Sequence, residues 1–144
     1  MLDEIAVGFG RTGTLFAHEQ AGIRPDFLCL SKGLTGGTLP LSVVLTTDAV
    51  YAAFYDDEVA RGFLHSHSYT CNPLACRAAL ATLELFEQLD VLKTNKALAQ
   101  RIDVACAPLT QHPRVQHARH LGMIWAWDVD TTLPDFARRY HQHA

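Results

Sequence analysis

The chain has 144 residues, of which 49% are hydrophobic and 19% are charged, so it is long and apolar enough to build a folded core. Its formal net charge of −3 gives no electrostatic reason to expect binding to nucleic acid or to an anionic membrane. No apolar run reaches the roughly 18 residues of a membrane span, and no secretory signal is recognisable. The four cysteines are irregularly spaced, which favours reduced thiols and a cytoplasmic protein.

Short apolar runs alternate with helical patterns along the chain. PDFLCLS, which starts at Pro25, predicts a strand with both faces covered, as in a parallel sheet. A second strand is predicted from Leu41 to Thr47, followed by a helix with Asp48 as its N-cap. HLGMIWAWDVD predicts a later strand that begins a new unit. This alternation is typical of an α/β layer structure.

CNPLACRAALATLELFEQLDVL gives the clearest helical pattern in the sequence. Asn72 can cap this helix, and Pro73 suits its first turn. We expect its apolar face to consist of Leu74, Ala78, Ala81, Leu85 and Leu89. KTNKALAQRIDVACAPL predicts a further amphipathic helix that ends near Pro108.

The segment DEIAVGFGRTG places two acids, Asp3 and Glu4, before three glycines. A carboxylate at a strand end is either a solvated loop residue or a ligand of a bound group, and the residues alone leave both interpretations open. The G-x-G-x-x-G spacing resembles a dinucleotide loop only weakly, because RTGTLFAHEQ is not a typical start of a Rossmann helix.

Lys32 follows an apolar run and precedes the turn GLTGG. It is either a surface lysine or an amine held for covalent chemistry. The apolar neighbours predict a buried stem, and burial favours the free amine, which is the nucleophile of Schiff-base chemistry. Such an amine, together with a carboxylate for a pyridinium nitrogen, is what a pyridoxal phosphate enzyme requires of its protein.

The segment FLHSHSYTCNPLAC brings hydroxyl groups close to the start of the helix capped by Asn72. The hydroxyls belong to Ser66, Ser68, Tyr69 and Thr70. Hydroxyls and backbone N–H groups near a helix start are natural phosphate ligands. A zinc site would have to use His65, His67, Cys71 and Cys76. Because their spacing matches no common zinc pattern, we predict no metal site.

DEIAVGFGRTG, PDFLCLSKGLTGG and HSHSYTCNPLAC, in this order, resemble the motifs of the class III aminotransferases, which are pyridoxal phosphate enzymes of fold type I. The resemblance runs along essentially the whole chain. It implies a partial α/β fold, with residues 1–91 as the late part of the large cofactor-binding domain and residues 92–144 as the start of the small C-terminal domain. We therefore expect the chain to be a fragment of a longer enzyme.

Within this class, the sequence from Thr35 to Thr47 and from His65 to Asn72 is similar to enzymes of biotin biosynthesis. The resemblance implies transfer of an amino group from S-adenosylmethionine to 8-amino-7-oxononanoate, which gives 7,8-diaminononanoate. It also implies pyridoxal 5'-phosphate as the cofactor and a homodimer in the full-length enzyme. Two alternatives stay open: a class III enzyme that acts on ornithine, acetylornithine or another ω-amine, and a truncated chain without activity.

The resemblance assigns roles to five residues. Asp3 would pair with the pyridinium nitrogen of the cofactor. Lys32 would be the catalytic residue, which bonds to the cofactor aldehyde, contacts the substrate and moves the proton. Ser68 would bind the cofactor phosphate, usually that of the partner subunit. His67 and Ser66 would line the cofactor pocket and the substrate pocket.

Three other positions are of interest within this resemblance. Arg11 is interpreted as a scaffold residue that holds its loop by charge-assisted hydrogen bonds. Cys71 and Ser66 stand where the class commonly has glycines, and neither removes a chemical group that the reaction needs. The phosphate loop, the aromatic residue that stacks on the cofactor and the carboxylate-binding arginine of the family are not expected within this sequence.

Overall fold

The computed structural model describes residues 1–131 and 135–143. In this part of the chain, three strands form one sheet and two further strands form a hairpin. The strands are β1 (Leu2–Asp3), β2 (Phe27–Leu30), β3 (Val43–Thr46), β4 (Val115–Leu121) and β5 (Ile124–Val129). The helices are α1 (His18–Ala21), α2 (Asp48–Ala52), α3 (Pro73–Gln88), α4 (Val91–Thr110) and α5 (Phe136–His143). Two short 3-10 turns span Lys32–Thr35 and Val59–Arg61.

The three-stranded sheet has β2 at its centre. β1 pairs with β2 in parallel, with Asp3 opposite Cys29, and β3 pairs with β2 in antiparallel orientation. Leu28 and Leu30 are buried, whereas Phe27 and Cys29 on the other face are half-buried. The predicted strands are confirmed, and β2 pairs in parallel with β1, whereas β3 runs antiparallel to it. The prediction that both faces of β2 are buried is wrong, because Phe27 and Cys29 are only half-buried.

The N-terminus of α3 is capped as the sequence predicts. The Asn72 side-chain oxygen accepts a hydrogen bond from the N–H of Leu74 at 3.0 Å, and Pro73 occupies the first helical position. By contrast, Asp48 does not cap α2. Thr47 occupies that N-cap position, and its side chain makes no capping hydrogen bond.

The predicted apolar face of α3 is wrong. Leu74, Leu85 and Leu89 are exposed, and Ala75 and Ala79 are the buried residues of this helix. The small alanine side chains allow the helix to approach the 3-10 turn at the end of β2 closely, which a row of leucines would prevent.

The helix α4 ends at Thr110, two residues beyond the predicted end near Pro108. A proline in the last turn removes only one N–H donor, and the N–H of Gln111 still bonds to the carbonyl of Ala107 at 3.1 Å.

The prediction of a single strand for HLGMIWAWDVD is wrong, because this segment includes the turn of a hairpin. It contains the end of β4, a turn at Gly122 and Met123, and β5. Gly122 has a φ of 57°, a left-handed conformation that glycine adopts without steric cost. The turn contacts the loop of residues 8–13, called the glycine-rich loop below, where the N–H of Met123 donates to the carbonyl of Arg11 at 2.8 Å.

The core lies between the sheet and α3. Its buried apolar residues are Phe9, Leu28, Leu30, Leu34 and Ala79. The ring of Phe9 makes edge contacts with Phe16 and Phe86 at centroid distances of 5.7 Å and 6.2 Å. The core therefore supports both loops that follow the parallel strands β1 and β2. Among the described helices, none combines the length and apolar composition needed to cross a bilayer.

Candidate active site

Asp3 and Lys32 lie at the same edge of the sheet. Asp3 is the last residue of β1, and Lys32 follows the end of the neighbouring parallel strand β2 by two residues. The carboxyl ends of adjacent parallel strands meet at one edge, which is where α/β proteins bind ligands. The Asp3 Oδ1 atom accepts a hydrogen bond from the N–H of Ile5 at 2.9 Å, so the orientation of its carboxylate is fixed.

Lys32 is exposed, so the prediction of a buried stem is wrong. The chain leaves β2 and turns at Lys32, which has a φ of 44° and begins the 3-10 turn. As a result Leu34 and Thr35, rather than Lys32, face the core. The side chain of Lys32 lines an open cleft of about 480 Å³. The other walls include Ile5, Phe9, Arg11, Gly36, Thr82 and Phe86.

Arg11 lines the same cleft as Lys32. Its backbone carbonyl binds the hairpin turn through Met123, but its guanidinium makes no hydrogen bond to any residue that the structure describes. The prediction that Arg11 holds its loop by charge-assisted hydrogen bonds is therefore wrong among the described residues, and the charged side chain lines the cleft instead.

His67 borders a second cavity, of about 550 Å³, that also includes Ser31. Its backbone N–H donates to Thr70 Oγ1 at 3.0 Å, and its Nδ1 accepts from the N–H of Tyr69 at 3.2 Å. Because Ser31 directly precedes Lys32, this cavity reaches the residue next to the amine.

Ser66 and Ser68 are not brought together with Asp3 and Lys32. Both are exposed on the loop before α3, and neither lines either of the two cavities. Their side chains make no hydrogen bond within residues 1–131 and 135–143. This loop is therefore free to present both hydroxyls to a group outside the described part of the chain.

No three His, Cys, Asp or Glu residues in the described ranges are close enough to hold a metal ion. Cys71 and Cys76 are exposed as free thiols.

Glu4 has a structural role at the site that differs from the role of Asp3, and the sequence analysis did not predict it. It is only 2% exposed. Its Oε2 accepts from the N–H of Ala17 at 2.6 Å, and its Oε1 lies 2.9 Å from the N–H and 2.8 Å from Nδ1 of His18. Because these partners lie 13 and 14 residues away in sequence, no short-range sequence pattern predicts their hydrogen bonds to Glu4.

The pKa of Glu4 is set by opposing effects. Burial raises it, but the backbone N–H groups of His18 and Ala17 and the ring of His18 lower it, and the net pKa lies below the ordinary value. Glu4 is therefore a buried carboxylate held in its ionised form.

The family model of the class III aminotransferases matches residues 1–143. The chain belongs to this family. It is 52% identical over 134 residues to the adenosylmethionine-8-amino-7-oxononanoate aminotransferase of Helicobacter pylori, a match that covers 90% of this chain and 31% of that protein. The family assignment made from the three motifs is confirmed.

Solved structures give the same result for the fold. The adenosylmethionine-8-amino-7-oxononanoate aminotransferase of Methanocaldococcus jannaschii matches with a TM-score of 0.81 and 39% identity, over 88% of this chain and 30% of that chain. An (S)-enantioselective ω-transaminase of Thermomicrobium roseum matches with a TM-score of 0.78 and 33% identity, over 89% of this chain and 28% of that chain. The predicted partial α/β fold is confirmed, and the chain spans about three tenths of the length of these relatives.

Proposed function

We propose that the protein transfers an amino group from S-adenosylmethionine to 8-amino-7-oxononanoate, giving 7,8-diaminononanoate in biotin biosynthesis. The observation that carries the proposal is the 52% identity, along 90% of the chain, to a protein whose name states both substrates. The common edge that bears Asp3 and Lys32 supports the same reaction class.

The residues at this edge fit pyridoxal 5'-phosphate, the cofactor of the family. When bound, this cofactor supplies an aldehyde that bonds to amines and a ring that withdraws electrons from the substrate. The chain offers an exposed amine that lines an open cleft and a carboxylate at the neighbouring strand end, although Asp3 itself does not line that cleft. Asp3 would accept a hydrogen bond from the ring nitrogen, and its contact with Ile5 would keep the carboxylate oriented.

Lys32 would hold the cofactor and then act as the base of the reaction. Its exposed side chain is free to move between the cofactor and the substrate, and its Nζ atom would carry the proton taken from the substrate Cα. Transfer through one enzyme-bound amine carrier predicts ping-pong kinetics.

The loop before α3 would contribute the remaining contacts. The hydroxyl of Ser68 would donate to the cofactor phosphate, and the exposed position of this loop is compatible with a phosphate in a partner subunit. His67 would line the cofactor pocket from the cavity next to Ser31, and Ser66 would line the substrate pocket. The proposal includes a homodimer, in which this loop of one subunit would contact the cofactor phosphate of the other.

The donor specificity tests the proposal. The protein is incubated with pyridoxal phosphate, 8-amino-7-oxononanoate and one amine at a time, and 7,8-diaminononanoate is measured by mass spectrometry. We expect product with S-adenosylmethionine and none with ornithine or acetylornithine, and Lys32→Ala should abolish it. Product formed equally well with ornithine would contradict the proposed donor.

The runner-up function is an ω-amine aminotransferase, which the likeness to the Thermomicrobium roseum structure favours. Its chemistry at Asp3 and Lys32 is the same, so only the donor assay separates the two. A chain without activity would give no product with any donor.

A further inference from the structure

The backbone of Glu4 joins the two strand ends that bear Asp3 and Lys32. Its N–H donates to the carbonyl of Cys29 on β2 at 3.0 Å, which continues the parallel pairing beyond Asp3. Its carbonyl accepts from the N–H of Gly8 at 2.9 Å. The residue after Asp3 is therefore fixed to β2 on one side and to the glycine-rich loop on the other.

The side chain of Glu4 holds a second segment, the start of α1. Two backbone N–H groups and one ring nitrogen surround its two oxygens, so the carboxylate satisfies three groups at Ala17 and His18. The ring of His18 stacks on Phe16 at a centroid distance of 5.8 Å and an interplanar angle of 10°. The carboxylate thus holds the imidazole ring on which Phe16 stacks, while the N–H of Phe16 itself donates to Glu19 Oε1 at 2.8 Å.

Phe9 packs between Phe16 and the turn that begins at Lys32. The two phenyl rings meet edge to face, and Phe9 is buried against Gly33. The contact at Gly33 is so close that an added Cβ atom would lie 2.9 Å from the Cβ of Phe9. Because Gly33 directly follows Lys32, the packed rings fix the backbone of the turn that presents the amine.

We propose that Glu4 is a positioning residue that sets the placement of Asp3 through the backbone and of Lys32 through His18, Phe16 and Phe9. The proposal rests on the proposed function for the roles of Asp3 and Lys32. Glu4 itself touches neither cofactor nor substrate.

Glu4→Gln tests the proposal with little change in volume. Glutamine replaces one carboxylate oxygen by an NH₂ group, which would face N–H donors at Ala17 or His18 and cannot accept from them. Glu84→Gln is the matched control, because Glu84 is an exposed acid that pairs with Arg77 on α3 at 3.0 Å.

The first measurement needs no cofactor. Amide hydrogen exchange is followed by mass spectrometry in peptides that cover residues 16–20 and 31–37. We expect Glu4→Gln to accelerate exchange about tenfold in both peptides, because a hydrogen-bonded buried charge is lost, and Glu84→Gln to leave both unchanged. Acceleration confined to residues 16–20 would overturn the proposal.

The second measurement distinguishes positioning from general stability. Each variant is treated with pyridoxal phosphate and borohydride, and the adduct at Lys32 is divided by the adducts at Lys93 and Lys96. Glu4→Gln should lower this ratio about tenfold at a temperature where the variant remains folded, whereas a merely structural role would leave the ratio intact. An unchanged ratio in a folded variant would overturn the proposal.

If the wild-type chain shows no preference for Lys32, the proposed function fails, while the exchange result still tests the coupling of Glu4 to residues 31–37. If Glu4→Gln does not fold, Phe16→Leu replaces it. This variant keeps the carboxylate and its bonds but weakens the contact with Phe9. Faster exchange at residues 31–37 is then expected, and unchanged exchange would overturn the proposal.

Discussion

Ionisation of Glu4 couples the stability of the chain to pH. The pKa of Glu4 in the folded chain lies below its ordinary value of 4.5, because the hydrogen bonds at His18 and Ala17 outweigh the effect of burial. The unfolded chain therefore binds this proton more tightly than the folded chain. The resulting stabilisation is fully present above about pH 4.5 and is lost as the pH falls through the folded-state pKa.

Glu4→Gln should remove this part of the pH dependence. We expect the free energy of unfolding of the wild type to exceed that of the variant most at neutral pH, and the difference to shrink as the solution is acidified below about pH 4.5. Urea unfolding of both proteins across this range measures the difference. A constant difference at every pH would contradict the assigned ionisation of Glu4.

Lys32 shows how far a single sequence can predict the position of one site residue. The apolar run and the glycine turn gave the correct position of the lysine at a strand end, since both signals are local. They gave the wrong exposure, because the chain turns at Lys32 itself and directs Leu34 and Thr35 to the core. The structural role of Glu4 was not predicted, because its hydrogen-bond partners Ala17 and His18 are distant in sequence.

The N-terminal cap of α3 is expected to contribute measurably to the free energy of unfolding. Asn72→Ala removes the side-chain acceptor of the N–H of Leu74 and should lower the free energy of unfolding by about 1 kcal/mol. Thr47→Ala is the matched control, because the N-cap residue of α2 makes no side-chain capping bond. Urea unfolding should separate the two variants, and an equal loss in both would contradict the role of Asn72.

The contact between the hairpin and the glycine-rich loop is expected to be intolerant of any side chain. A Cβ atom at Gly122 would lie 2.3 Å from the carbonyl carbon of Thr12 and 2.5 Å from the backbone nitrogen of Gly13. Because backbone atoms cannot yield as a flexible side chain does, Gly122→Ala should cost about 3 kcal/mol or more.

Gly22→Ala provides the control for this substitution. Gly22 has a similar φ of 62°, but nothing lies within 4 Å of an added Cβ atom. It should therefore cost only the strain of a left-handed alanine, about 1–2 kcal/mol. Urea unfolding compares the two variants, and equal costs would show that the contact with Thr12 does not constrain the hairpin.

The helix α3 explains why its buried face could not be predicted. Leucines and small residues both recur at helical spacing in its sequence, so periodicity allows either face to be buried. The choice depends on what packs opposite, and the close approach to the turn at Lys32–Thr35 selects Ala75 and Ala79. The hairpin was not predicted, because β4 is rich in polar residues and, within the described residues, has β5 as its one pairing partner.

Three loop motifs were enough to predict the family and the partial α/β fold of the chain. Under the proposed function these motifs bear the reacting groups, and such groups restrict residue type more than packing does. The division into residues 1–91 and 92–144 stays a prediction, as does the homodimer. Short-range sequence patterns do not determine the domain boundary or the homodimer. Each depends on contacts between residues that are distant in sequence or belong to separate chains.

Lys32 is proposed to be the amine that holds the cofactor, and covalent labelling of this lysine tests that role. The chain is mixed with pyridoxal phosphate, reduced with borohydride and digested, and the pyridoxyl adducts are located by mass spectrometry. We predict a saturable adduct at Lys32 that is lost in Lys32→Ala, with far less label at the exposed residues Lys93 and Lys96. Equal labelling of all three lysines would contradict an organised site at the end of β2.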